Sequence, residues 1–301
     1  VSMQTQATSG APRSAADTDN ELDQALASGP LRDIAIPPCP ELLLALRAEM
    51  DKDDPDPAVI ADIASRDVAM AASLIRTANS PFYARSRPAT SVGEALGLLG
   101  LRMTEKILTA FLTRNAIRVN SPLLEHFWDT SSRRALAMAH IARQLYTVNP
   151  DLAYTCGLFS HVGIPILMQG VRGYAGTLTE ALARQDRSFT ETENAAHRTD
   201  HAVVGALVAR TWRMPTPIYQ AVRLHHDFSA LDDSRLDKEV RTLVAMSLVS
   251  ERLVNQFEGV KEHREWSLYG KACLAHLAVV SDELEGWIDA LHGAFESVSA
   301  H

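Results

Sequence analysis

The run "LAYTCGLFSHVGIPILMQG", residues 152–170, decides what kind of fold this chain adopts. It is the longest uncharged stretch, yet Gly157, His161, Gly163 and Pro165 interrupt it. Those breaks and an imidazole speak against a membrane span, which needs about 20 consecutive apolar residues. A buried core helix followed by a turn fits better, with "GLFSHVG" (157–163) at the bend.

The same reading extends in both directions. No alternating strands rich in Val, Ile and Thr are seen; apolar residues recur at spacings of three and four. Helix starts are legible. Asp56-Pro57, Ser121-Pro122, Asn149-Pro150 and Thr216-Pro217 each set a capping side chain before a proline. The side chain accepts from an orphan N–H, and the proline gives up only a donor that had no partner. "SVGE" (91–94) and "TETE" (190–193) read as capping boxes. Helices are predicted to begin near 40, 57, 68, 91, 101, 122, 150, 171, 190, 217, 236, 266 and 280. The fold class is all-α, without internal repeats.

Bulk properties narrow the function. The chain has 301 residues, 46% of them hydrophobic, enough for a large core. A net charge of −8 argues against a nucleic-acid partner, because phosphate neutralisation needs clustered Lys and Arg. The basic pair Arg133-Arg134 reads as a solvated helix face. Cys39, Cys156 and Cys273 lie far apart, neither a disulfide framework nor a zinc ribbon, which suits a reducing compartment. Residues 1–21 are nearly free of large apolar side chains and read as a flexible tail, with no secretory leader. A cytoplasmic protein is expected, with no membrane attachment.

Three stretches together resemble one family. They are "IPPCPELLLAL" (36–46) followed by "SLIRTANSPFYARSRPATSVGEALGLLG" (73–100); "FWDTSSRRALAMAHIA" leading to "DLAYTCGLFSHVG"; and "DHAVVGALVARTWRMPTPIYQAVRLHH" (200–226). Their order and spacing are similar to those of HDOD domains. The resemblance implies an all-helical domain over 22–235, with a front lobe to about 120 and a back lobe, 121–235, related to HD-type metal phosphohydrolases. Residues 236–301 would then be C-terminal helices packed on the back lobe. A bacterial signalling role is implied as well. Within the motif, Asn79 and Ser80 before Pro81 read as a helix stop whose cap holds the following loop, with a binding role for Asn79 as the other option.

HD-type chemistry needs histidines and carboxylates on one or two cations, which lower the pKa of bound water and polarise a phosphoryl group. Carried over by position, the first histidine falls on Thr130 and the His-Asp pair on Ser160 and His161. The later histidines are kept as His201, His225 and His226. The final aspartate falls within "LVAMSLV", where Met246 and Ser247 stand and no acid does. Hydroxyls bind cations weakly, so a hydrolytic dinuclear site is not expected. A mononuclear site on His161, His201, His225 and His226 stays open, since imidazoles alone hold zinc or nickel. The bland alternative is a remnant cluster hydrogen-bonded in the core. His126, one turn before Thr130, and the i, i+4 pair His197/His201 are candidate extra ligands, with ordinary surface or capping roles as the alternative.

The leading expectation is a non-catalytic signalling module that contacts a protein partner and needs no cofactor. A small ligand could regulate it in the cleft of Thr130, Ser160, His161, His201, His225 and His226. The competing expectation is a metal-dependent phosphohydrolase acting on a nucleotide or cyclic dinucleotide. A histidine-only metal sensor is a third.

Overall fold

Charge pairing brings the first helix, α1 (Ala15–Ala27), onto the rest of the fold. Its Leu22 is fully buried, while Glu21 and Asp23 reach Arg223 and Arg210 at 2.6 and 2.7 Å. The computed structural model describes residues 14–27, 31, 34–83, 87–119, 121–146, 148–260 and 264–299. The expected tail over 1–21 is therefore corrected from Ala15 onward, while residues 1–13 lie outside the described residues. Composition alone could not show which arginines, distant in sequence, would receive these acids.

The front lobe comprises α2 (Glu41–Met50), α3 (Pro57–Ser65), α4 (Val68–Ala78), α5 (Val92–Leu99) and α6 (Leu101–Ala116). A back lobe follows: α7 (Phe127–Leu145), α8 (Pro150–Phe159), α9 (Gly163–Gly170), α10 (Tyr174–Ala183), α11 (Phe189–His197), α12 (His201–Thr211) and α13 (Thr216–Leu224). The chain closes with α14 (Lys238–Phe257), α15 (Arg264–Leu277) and α16 (Ser281–Ser299). Among the described residues there is no strand, and the fold is all-α. The lobes meet where α6 packs on α8; α14 lies against α7, α8 and α13, with its stretch from Thr242 to Ser250 wholly buried.

The capping chemistry is close to that expected. Asp56, Ser121 and Asn149 accept from the N–H groups of Ala58, Leu123 and Asp151. Ser121 starts only a 3-10 turn, Pro122–Leu124, before α7 begins at Phe127. Thr216 makes no cap: it is the first residue of α13, behind Pro215. The capping box of α11 is Ser188 with Glu191, two residues earlier than read from "TETE". Ser91 caps α5 as expected, but the Glu94 carboxylate returns to the Thr90 N–H rather than to that of Ser91.

Asn79 caps α4 and reads out its loop with both ends of its amide. Its Nδ2 donates to the Ala89 carbonyl at 2.8 Å, and its Oδ1 accepts from the Ala89 N–H at 2.7 Å. Ala89 is buried, so no water replaces these bonds. The Ser80 side chain is also buried, and its hydroxyl makes no hydrogen bond among the described residues.

Pro150–Gly170 is long and apolar enough to cross a membrane, but 78% of its window is buried inside the protein. Two glycines explain how it packs. A Cβ on Gly157 would sit 2.9 Å from the Ala135 Cα and the Arg134 carbonyl oxygen, so α8 lies directly on α7. A Cβ on Gly163 would overlap the His201 carbonyl oxygen and lie 2.8 Å from its carbon. The neighbour in each case is backbone, which has no rotamer by which to yield.

Gly163→Ala is expected to lower stability by about 2–3 kcal/mol through overpacking against α12, read as a urea midpoint shift at constant m-value. Asn79→Ala leaves a buried N–H and C=O unpaired and is expected to cost about 1–3 kcal/mol in the same assay.

Candidate metal centre

Four imidazoles meet where the α8–α9 turn faces the start of α12 and the end of α13. His161 sits in the turn, and His201 is the first residue of α12, behind its cap Asp200. His225 caps α13, and His226 follows it. One nitrogen from each ring lies within 4.8 Å of those of the other three. The His201 Nε2 is 3.3 Å from the His225 Nε2 and 3.1 Å from the His226 Nε2. His161 stacks on His201 at 5.0 Å between centroids, and Phe189 closes the cluster by stacking on His226. His201 is 0% exposed, His225 2% and His161 5%.

The outer nitrogens fix the tautomers. The His225 Nδ1 lies 2.7 Å from the Val222 carbonyl, which can only accept, so this nitrogen carries hydrogen. The His201 Nδ1 donates to Glu193 at 2.7 Å, and the His226 Nδ1 donates to Glu265 at 2.8 and 3.0 Å. Neutral rings so arranged turn three Nε2 lone pairs towards one another. Only a cation placed between them, a proton or a metal, relieves that repulsion.

The charges around the cluster agree. Burial pulls the His226 pKa down, but Glu265, with Glu251 and Glu193, raises it to about 9. His225 is pushed well below its ordinary value by burial and by the three neighbouring imidazoles.

Three carboxylates thus serve the cluster, although the sequence offered none at the expected places. Glu193 is fully buried and accepts from the His201 ring and N–H and from the Tyr174 hydroxyl. Glu251 accepts from the His161 Nε2 at 2.7 Å and lies 3.9 Å from the Arg134 Nε. Glu265 is 1% exposed and holds His226. Glu251 and Glu265 stand on α14 and α15, beyond the stretch that carried the resemblance. Glu193 is the last residue of "TETE", read as the acid of a capping box.

Of the six residues expected to line one cleft, the structure brings four together. Thr130 is elsewhere: its hydroxyl donates to Glu258 at 2.9 Å, beside the Arg133–Glu258 pair. The Ser160 hydroxyl donates to the Cys156 carbonyl at 2.8 Å, one turn back in its own helix. The acid missing from "LVAMSLV" and the side chain expected at Thr130 are both supplied further along their helices. Arg134, four residues after Thr130, meets Glu251, which lies beyond "LVAMSLV" on α14, and Glu251 in turn reaches His161; four residues is one helical turn. The solvated reading of Arg133-Arg134 is likewise overturned, since Arg133 is buried on Glu258 and Arg134 is close to Glu251.

His126 is exposed at the start of α7. His197 pairs with the Thr177 hydroxyl at 2.8 Å. It ends α11 and Arg198 follows in a left-handed conformation, so His197 and His201 share no helix and chelate nothing together. A cleft of about 570 Å³ between Phe228 and α15 has His226 in its wall, with Tyr269 and His276 opposite.

Comparison with known proteins matches this geometry to a family. A curated relative from Treponema pallidum (strain Nichols), itself uncharacterised, is 23% identical over 195 residues; the aligned part spans 64% of this chain and 38% of that relative. An HDOD domain protein of unknown function from Geobacter sulfurreducens has the same fold at 20% identity and a TM-score of 0.71, with 95% of this chain and 97% of that one aligned. A chain from Shewanella amazonensis SB2B, provisionally named a phosphohydrolase, superposes at a TM-score of 0.71 and 18% identity over 97% and 99% of the two chains. One from Marinobacter aquaeolei VT8, provisionally named a signal transduction protein, does so at 0.72 and 16% over 95% of this chain and 65% of that one. Residues 36–228 match the HDOD domain itself, and this chain therefore belongs to the HDOD family.

Proposed function

We propose that this chain is a regulatory signalling module without hydrolytic activity, holding one divalent cation on His161, His201, His225 and His226 as a clamp between helices. The observation that carries the reading is the convergence of three Nε2 atoms whose rings each donate outward through Nδ1. Metal-bound imidazoles are held in this way, with the second ring nitrogen given to a carboxylate or carbonyl.

The donor set fits the group. Zinc–nitrogen bonds of about 2.0–2.1 Å at tetrahedral angles separate the nitrogens by roughly 3.3–3.4 Å. Two of the separations here are 3.1 and 3.3 Å, and all four nitrogens lie within 4.8 Å of one another, so the wider pairs would close up around the ion. Four imidazoles select zinc, nickel, copper or iron over magnesium or calcium, which prefer oxygen. Charge points the same way: Glu193, Glu251 and Glu265 together with Arg134 leave a net charge of −2, which one divalent cation balances.

A closed four-nitrogen shell also separates structural from catalytic roles. Catalytic zinc keeps a position for water, whereas structural zinc does not. The three glutamates hold the imidazoles and do not point a carboxylate at the cation. In this reading the metal ties the α8–α9 turn to α12 and α13, and through Glu251 and Glu265 to α14 and α15. Signalling would then occur through the surfaces of these helices against a protein partner. The phosphohydrolase alternative is favoured only by the cleft that reaches His226, through which a substrate could approach.

Elemental analysis of protein purified without chelator or a metal-affinity tag is expected to find about one equivalent of zinc, nickel or iron. His201→Ala is expected to bring this below about a tenth of an equivalent. Metal near zero in the parent protein, even after metal is offered back, would reject the clamp. Hydrolysis of bis-p-nitrophenyl phosphate or a cyclic dinucleotide that disappears in His201→Ala would reject the non-catalytic half.

Stripping the metal is expected to cost about 4 kcal/mol at a free-metal level a thousandfold above Kd, seen as a fall in melting temperature that metal restores. Glu193→Gln keeps the shape of the buried side chain but not its charge. It is expected to weaken metal affinity by about 10–100-fold in competition with a chelating dye.

A further inference from the structure

A second site lies away from the imidazoles, where the two lobes and the C-terminal helix meet. A cavity of about 140 Å³ is bounded by α4 and α6 of the front lobe, α7 and α8 of the back lobe, and Ser297 and Val298 of α16. Four rings line it: Tyr83, Phe111, Trp128 and Tyr154. Apolar walls between structural units, with few polar groups, are where small molecules bind. The volume is that of a cavity that holds one benzene-sized ring.

The Thr77, Tyr83, Tyr154 and Ser297 hydroxyls around it are already bonded, which leaves the Trp128 indole and the Arg114 guanidinium for a ligand. The Trp128 side chain is 7% exposed, yet its indole N–H has no hydrogen-bond partner among the described residues. Arg114 lines the cavity and also a broader, outward-facing one of about 1000 Å³, which it shares with Trp128 and Arg118. Among the described residues neither guanidinium is paired with a carboxylate. Asp129 in the inner wall repels an anion placed beside it, so an acidic head has to turn outward, where Glu125 is the one acid against two arginines.

We propose that this inter-lobe cavity binds a small aromatic acid, its ring among the four aromatic side chains and its carboxylate turned outward to Arg114. A planar guanidinium holds a carboxylate through two parallel hydrogen bonds, and the rings supply stacking faces. Such a ligand would touch all three helical units at once, so its binding changes how they pack. This proposal stands apart from the metal reading, and either can fail without the other.

Benzoate is the probe, with benzyl alcohol as its uncharged analogue, titrated into the full chain labelled with 15N in its tryptophan indoles. The Trp128 signal is assigned by its loss in Trp128→Phe. Benzoate is expected to move that signal saturably in the millimolar range, as suits so small a ligand. Arg114→Gln, an exposed change that leaves the fold intact, is expected to weaken benzoate about tenfold and leave benzyl alcohol unchanged. Ala110→Leu, which fills the cavity, is expected to abolish both responses in a variant whose circular dichroism matches the parent. A Trp128 signal that stays still up to tens of millimolar benzoate overturns the site. A shift that Arg114→Gln does not weaken overturns the acid as its ligand.

Discussion

The fold depends on one backbone contact, between the first turn of α9 and the His201 carbonyl. Gly163 lies so close to that carbonyl that no side-chain carbon fits between them. Three consequences follow from this approach. The α8–α9 turn is pressed against the start of α12, His161 is brought to stack on His201, and the apolar run from Pro150 is turned inward. Gly157 does the same on the opposite side, where α8 rests on α7. Close backbone approach thus replaces the large side chains that usually space helices about 8–10 Å apart.

Such tight approach explains why polar groups can be kept at the centre of the molecule. A buried imidazole or carboxylate is costly unless each of its polar atoms has a partner. Glu193 has three donors, from Tyr174, the His201 ring and the His201 N–H. Glu265 takes His226 with both oxygens. Satisfied networks of this kind hold a unique arrangement, because removing one member strands the others. Apolar substitutes would pack as well but would not hold four rings at one point.

Much of this was legible in the sequence, and the failures have a common physical cause. Helix starts were readable because caps act within three residues: Asp56, Asn149 and Ser91 work as their local patterns imply. The retained histidines were readable because "DHAVVGA" and "RLHH" are contiguous. What the sequence hid was long-range. Helical register can slip by one turn without changing which face is apolar, so Thr130 was read at the place nearer to Arg134, and the acid sought within "LVAMSLV" stands just beyond it as Glu251. Acids at the ends of other helices, Glu193 and Glu265, carry no local mark of the rings they meet. Helix α1 was missed on the same ground, since its anchors are arginines of α12 and α13.

The imidazole at position 161, where the family resemblance implies an aspartate, brings these strands together. An aspartate in that slot would give a hard oxygen ligand, suited to cations that keep several waters, and water activated by such a cation is the hydrolytic nucleophile. An imidazole there supplies a fourth nitrogen donor and moves the preference towards borderline metals. With four nitrogens around one point, a tetrahedral ion has no place for water. Glu251 lies 2.7 Å from the His161 Nε2, so in the proposed site this carboxylate would orient an imidazole. On this reasoning an imidazole in the aspartate slot, together with hydroxyls at Thr130 and Ser160, would preserve cation binding while withdrawing the water that hydrolysis requires. In the proposed site the metal would then act as a fastening between helices rather than as a reagent.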